Sequence, residues 1–171
     1  MLDDGLKNPM NKASLKSGHL RRIKSLALLA DEQLGAFLDY VELVSCPRNV
    51  TLFQEGEPGD CMYFILQGQM RVFIRQKSGE LMSLRLLDAG DAFGEGALLT
   101  QCSRSASVEG VMDSELLKLS AANLQKLMAE QPSVAATFLH HQARMMSRQL
   151  TDLTNQLRAH RELADLVAFI Q

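Results

Sequence analysis

Between Pro47 and Ser120 the apolar residues come in runs of about four to eight, each closed by a turn signal, and this punctuation restricts the fold more than any other feature. Residues 49–53 lead to the turn Gly56-Glu-Pro-Gly-Asp60. Residues 61–66 lead to Gln67-Gly68. Residues 70–75 alternate, with Met70, Val72 and Ile74 on one face, and lead to Lys77-Ser-Gly-Glu80. Residues 81–87 end at Asp88-Ala-Gly-Asp91, and residues 105–111 and 114–119 close the set. Short strands at a spacing of roughly 8–12 residues predict an antiparallel sandwich or barrel-like roll, not alternating βαβ units.

Helical spacing flanks this block. From His19 to about Cys46, Leu20, Ile23, Ala27 and Ala30 form one stripe. A second helix opens at Asp31 as a cap and buries Leu34, Phe37, Leu38, Val41 and Val44, until Pro47 breaks it. After the strands, Ser120 caps a helix carrying Leu124, Leu127 and Met128, and Pro132 starts another. Beyond Pro132 the chain has neither Pro nor Gly. Leu139, Ala143, Met146, Leu150, Leu153, Leu157, His160, Ala164 and Val167 follow in steps of four and three, the seam of a coiled coil. So long a stripe exceeds what one short domain covers, which predicts a homodimer through this helix.

At 171 residues and 46% hydrophobic, the chain suits one globular domain with a real core. A net charge of −2 lends no support to direct nucleic-acid binding. No apolar run approaches a membrane span, and Asp3 and Asp4 do not suit a secretory leader, so a cytoplasmic protein is expected. Cys46, Cys61 and Cys102 include no CxxC pair, and His140 and His141 are adjacent, so no disulfide framework or metal site is expected.

The densest chemical signal lies in residues 91–108. A strand ends at Gly94, where the missing side chain allows close backbone approach. Residues 94–99 suit one short helical turn whose free N–H groups form an anion nest. Arg104 follows, near enough to clamp the same anion with its planar fork, with the Ser105 hydroxyl beside it. Glu95 suits a bare phosphate poorly, but it suits a sugar hydroxyl that donates to it. The residues therefore point to a phosphate that bears a sugar.

Phe93-Gly-Glu-Gly-Ala-Leu-Leu99 followed by Arg104-Ser-Ala106 resembles the phosphate-binding cassette of cyclic-nucleotide-binding domains, the effector domains of catabolite-activator-like proteins. The segment Gly56-Glu-Pro-Gly-Asp60, with Tyr63, Ile65 and Gly68-Gln-Met-Arg-Val72, and Leu87-Asp-Ala-Gly90 resemble the family's approach to that cassette, in order and spacing. The resemblance implies an α+β fold: an antiparallel, jelly-roll-like β-roll flanked by N-terminal helices and a long C-terminal helix. It implies ligand contacts from Phe93, Gly94, Glu95, Gly96, Ala97, Arg104, Ser105 and Ala106. Arg104 would pair with the cyclic phosphate, Glu95 would accept from the ribose 2′-hydroxyl, and the N–H groups of Gly94, Glu95 and Ala97 would line the sugar-phosphate. Ser105 would meet the phosphate or the amine of a syn guanine. Gly96 departs from the Leu or Ile usual there. Arg148, Gln149 and Thr151 on the last helix are the candidate base contacts.

The implied protein is a regulatory sensor of cyclic AMP (cAMP) before cyclic GMP (cGMP), without catalysis and without a DNA-binding domain, which couples ligand to movement of the last helix. Its expected organisation is a flexible tail over 1–18, the binding domain over 19–131 and a hinge and dimerisation helix over 132–171. The alternative is a dimerisation module of the same fold with a degenerate pocket or a non-nucleotide ligand. A haem sensor would need an axial ligand near the cassette, where only Cys102 lies. Hydrolysis of a cyclic phosphodiester would need a metal-activated water or a placed acid/base pair.

Overall fold

The computed structural model describes residues 15–170, with side chains through 162. Most of the 1–18 tail, with Lys7 and Lys12, and the seam positions Ala164 and Val167 lie outside the residues whose side chains are described. Helix α1 (Ser17–Leu20), a 3-10 turn (Lys24–Leu26) and α2 (Asp31–Leu38) precede the strands. Then come β1 (Glu42–Cys46), β2 (Thr51–Phe53), β3 (Cys61–Gln67), β4 (Gln69–Arg75), β5 (Leu81–Asp88) and β6 (Ala92–Phe93). Helix α3 (Glu95–Thr100) interrupts the strands before β7 (Ser107–Gly110) and β8 (Ser114–Ser120), and α4 (Ala121–Glu130) and α5 (Pro132–Ile170) end the chain.

The strands form two antiparallel four-stranded sheets, β1-β8-β3-β6 and β2-β7-β4-β5. This is a β-roll with N-terminal helices and a long C-terminal helix. Strand β3 reads as an unbroken apolar run because both its faces are covered. Cys61, Tyr63 and Ile65 point between the sheets, where they meet Phe53, Met70, Leu87, Phe93, Val108 and Leu116. Met62 and Phe64 point the other way, into a second core with Phe37, Leu117, Leu119, Leu127 and Phe138. Three rings lock this second core: Phe37 lies 5.8 Å from Phe64 and 5.3 Å from Phe138.

Several local expectations need correction. The second helix stops at Leu38, and Val44 lies in β1, whose Leu43 and Val44 pair with Leu117 and Leu116 of β8. The three-residue step from Val41 to Val44 mimicked a helical face, and an available edge of β8 decided for strand. Ala30, not Asp31, is the cap residue of α2; Asp31 is its first residue and binds Arg21 at 2.8 Å. Ser120 does cap α4, accepting from the Asn123 N–H at 3.1 Å, but Met128 is exposed while Leu124 and Leu127 are buried. In β4 the alternation breaks after Val72. Val72 pairs with Arg85 and Phe73 with Ser83, so Leu84 is the extra residue of a bulge, and Phe73 rather than Ile74 is buried.

The first turns of α5 pack on the roll through Val134, Ala135 and Phe138. Its middle does not: Leu150, Leu153 and Leu157 are 65%, 53% and 63% exposed. No helix among the described residues is long and apolar enough to cross a membrane.

Candidate ligand site

The site forms where β5 turns back through residues 88–91 into β6 and α3. Gly90 makes the turn with φ +97°; its N–H donates to the Ile65 carbonyl, and the Ile65 N–H donates to the Asp91 carbonyl. The Asp91 carboxylate accepts from the Asp88 N–H at 3.0 Å and from Lys24 Nζ at 2.6 Å. Burial alone would raise the Asp91 carboxyl. The Lys24 bond, the Asp88 N–H and the charges of Lys24 and Arg85 outweigh it and hold the group below the ordinary carboxylate value.

Gly94 follows β6 in the left-handed region, φ +83°, and opens α3 without a side-chain cap. The first N–H groups of α3 have no intrahelical acceptor. A Cβ on Gly94 would stand 2.7 Å from Arg104 Nη1 and 3.1 Å from the Cys61 carbonyl oxygen, so the glycine admits a guanidinium as well as backbone. Gly96 is different. It is exposed, has no left-handed conformation, and an added Cβ there would meet nothing within 4 Å.

A cavity of about 370 Å³ opens beside this turn. Of the expected residues, Phe93, Gly94, Glu95, Ser105 and Ala106 line it, and Gln149 reaches it from α5. Gly96 is exposed outside the lining, and Ala97 is buried on the inner face of α3 itself. Arg148 and Thr151 are exposed outside the lining, with the Thr151 hydroxyl donating to the Ser147 carbonyl at 3.0 Å.

Arg104 stands behind Gly94 and is only 6% exposed. Its Nη1 donates to the Cys61 carbonyl at 2.7 Å and its Nη2 to Cys61 Sγ at 3.0 Å. The guanidinium lies over Phe53, and Nε has no acceptor among the described residues. Among the described residues no carboxylate pairs with it. Tyr63 stacks on Phe93 at 5.4 Å, and burial, reinforced by the Cys61 contact, pushes its phenol well up.

The rest of the lining comes from residues that the sequence reading did not single out: Phe53, Val72, Leu84, Arg85, Leu87, Ala92 and Val108. Arg85 is the one cationic side chain among them. Strand alternation turns Arg85 and Leu87 to the cavity, and the bulge brings Leu84 there as well. Alternation along 81–87 carried a signal for Arg85; the bulge left none. Among the described residues no cluster of His, Cys, Asp or Glu is arranged to hold a metal ion.

A family model for the cyclic nucleotide-binding domain matches residues 43–131. The cyclic AMP receptor protein of Thermus thermophilus is 33% identical over 143 residues, which cover 82% of this chain and 64% of that protein. The crystal structure of the Thermus thermophilus catabolite activator protein superposes with a TM-score of 0.72 at 30% identity, covering 78% of this chain and 61% of that one. The regulatory domain of Toxoplasma gondii PKA, crystallised with cAMP, superposes at 0.59 with 26% identity, over 70% of this chain and 45% of that one. The chain thus spans less than two thirds of the length of these relatives.

Proposed function

Because the chain belongs to the cyclic nucleotide-binding domain family, we propose that it is a regulatory module that binds cAMP in preference to cGMP and transmits binding through α5. The observation that carries this reading is the state of Arg104: buried, without a carboxylate partner among the described residues, its Nε unsatisfied, and its Nη1 in the space that a Cβ on Gly94 of the cavity wall would take. A guanidinium so placed favours an anion that can meet its fork. Glu95, on the same cavity, selects among anions, since its carboxylate repels a bare phosphate and accepts from a sugar hydroxyl. Phe53, Val72, Leu87 and Val108 offer apolar surface to a base. One relative is a cyclic AMP receptor protein and another was crystallised with cAMP, which supports the same ligand.

We read residues 19–131 as the binding unit and 132–171 as hinge and dimerisation helix. Gln149 links α5 to the cavity, and only Gln131 separates α4 from α5, so a ligand that engages Gln149 biases the helix against the roll. The exposed Leu150, Leu153 and Leu157 favour a second copy as the partner of α5. In this reading the nucleotide is a signal and is not hydrolysed.

Thermal melting with three nucleotides tests the assignment. A ligand bound only by the folded state adds about 2.7 kcal/mol at a hundredfold excess over its dissociation constant. For a domain of this size that is several degrees, at roughly 2–4 °C per kcal/mol. The expected order is cAMP, then cGMP, then 5′-AMP, whose extra charge suits neither the short turn nor one arginine. Equal shifts from all three would mean a generic anion site, and no shift from any would mean a degenerate pocket.

A further inference from the structure

Arg104 is held from several sides, and a single residue, Cys61, supplies both acceptors bonded by its guanidinium: the carbonyl to Nη1 at 2.7 Å and the sulfur to Nη2 at 3.0 Å. Phe53 supports the plane of the guanidinium from one face. The missing side chains of Gly94 and Gly59 leave its edges room. A Cβ on Gly59 would fall 2.9 Å from Nε and 2.6 Å from the Ala97 Cβ. The thiol has a consistent arrangement of its own. Its S–H donates to the Tyr63 hydroxyl at 3.5 Å, which leaves a sulfur lone pair to accept from Arg104. Cys61 is itself 4% exposed, so neither contact competes with water.

A carbonyl alone fixes one nitrogen and lets the fork pivot about it. A second acceptor from the same residue removes that pivot. Nε and the second N–H of each Nη are then left without an acceptor among the described residues. We infer that the Cys61 thiol is a positioning residue for ligand binding, which locks the Arg104 fork in one orientation, with Nη1 beside Gly94 of the cavity wall and its remaining N–H groups free for an anion. This rests on the cyclic-nucleotide reading for the identity of the anion, but the lock on Arg104 exists without it.

The test compares Cys61→Val, close in size with no acceptor, with Cys61→Ser, which restores one. Should the branched side chain prevent folding, Cys61→Ala removes the sulfur without adding bulk. Two measurements are made on each 15N-labelled protein. The first is the NMR signature of the Arg104 Nη protons, assigned by their loss in Arg104→Lys. The second is cAMP affinity by calorimetry. In the wild type and Cys61→Ser the Nη signals stay separately resolved, because rotation of the fork is hindered. In Cys61→Val they merge, and cAMP binding weakens about tenfold, the effect of losing one hydrogen bond to a charged group. Resolved Nη signals in Cys61→Val overturn the inference, and so does cAMP affinity in Cys61→Val equal to that of a wild type that binds cAMP. If the wild type binds neither cAMP nor cGMP while the Nη signals still depend on Cys61, the nucleotide reading fails and the lock on the arginine stands.

Discussion

The guanidinium of Arg104 lies 4.0 Å from the centre of the Phe53 ring, which joins the arginine of the cassette to the strand that opens the second sheet. The contact holds a buried cation in place without a carboxylate, so its charge remains available to a ligand. Replacing Arg104 with Ala is expected to weaken cAMP binding by about 2–5 kcal/mol, roughly 30- to several-thousand-fold. The fold should persist, because no carboxylate among the described residues loses a partner. Calorimetry with circular dichroism checks both halves, and wild-type affinity in the variant would remove Arg104 from the site.

Glu95 should matter less than Arg104. Glu95→Gln keeps an acceptor on the cavity wall and loses only the charge, and a charge-assisted bond is about twice as strong as a neutral one. The 2′-deoxy analogue of cAMP should bind the wild type more weakly than cAMP, and it should lose that disadvantage in Glu95→Ala. Equal binding of the two by the wild type would mean that Glu95 does not read the ribose.

Arg85 brings a second cation to the cavity from the bulged strand. A guanidinium fork pairs with the O6 and N7 edge of guanine better than with adenine, whose N6 is a donor. Arg85→Ala should therefore weaken cGMP more than cAMP and widen the preference for cAMP. Separate titrations with the two nucleotides measure the ratio; an equal loss for both, which share the cyclic phosphate, would assign Arg85 to the phosphate, and a larger loss for cAMP would refute the guanine contact.

The α5 stripe makes its own prediction. Leu150 and Leu153 are exposed and uncovered by the roll, and such a stripe is an aggregation risk unless paired. Sedimentation at tens of micromolar should show a dimer in the wild type, and monomers when both leucines are replaced by Glu. A wild type already monomeric at that concentration would refute the dimer.

Asp91 sets a pH dependence. Its carboxyl titrates below the ordinary value, so the folded state binds that proton less tightly than the unfolded chain does. The resulting stability is fully present above the unfolded value near 3.9 and is lost as pH falls through the lower folded value. The Lys24 side chain is 67% exposed, which limits the pair to about 1 kcal/mol. Denaturant melts should show Asp91→Asn less stable than the wild type by that amount between pH 5 and 7. The difference should narrow below about pH 4; a constant difference down to pH 2 would assign the loss to packing.

Local chemistry and spacing in the sequence determined the succession of short strands between two helical regions, the cap at Ser120, the start of α5 at Pro132 and the turn after Gly94. These depend on a residue and its near neighbours: a hydroxyl that accepts an N–H three positions on, a proline without a donor, a glycine free to adopt positive φ. The same locality is what let Glu95, Arg104 and Ser105 be read together as candidates; Glu95 and Ser105 line the cavity, and Arg104 stands behind Gly94. Tertiary structure decided what depends on partners far along the chain. Val44 became strand because β8 offered it an edge, Leu84 joined the cavity because β4 and β5 slip by one residue, and Gln149, rather than Arg148 or Thr151, lines the cavity because of the way α5 lies against the roll. The placement of Arg104 belongs to the same class. Spacing put an arginine beside the nest, but only the meeting of β2, β3 and the α3 turn set its plane on Phe53 and its fork on Cys61. Long-range packing, which no local pattern encodes, chose that orientation.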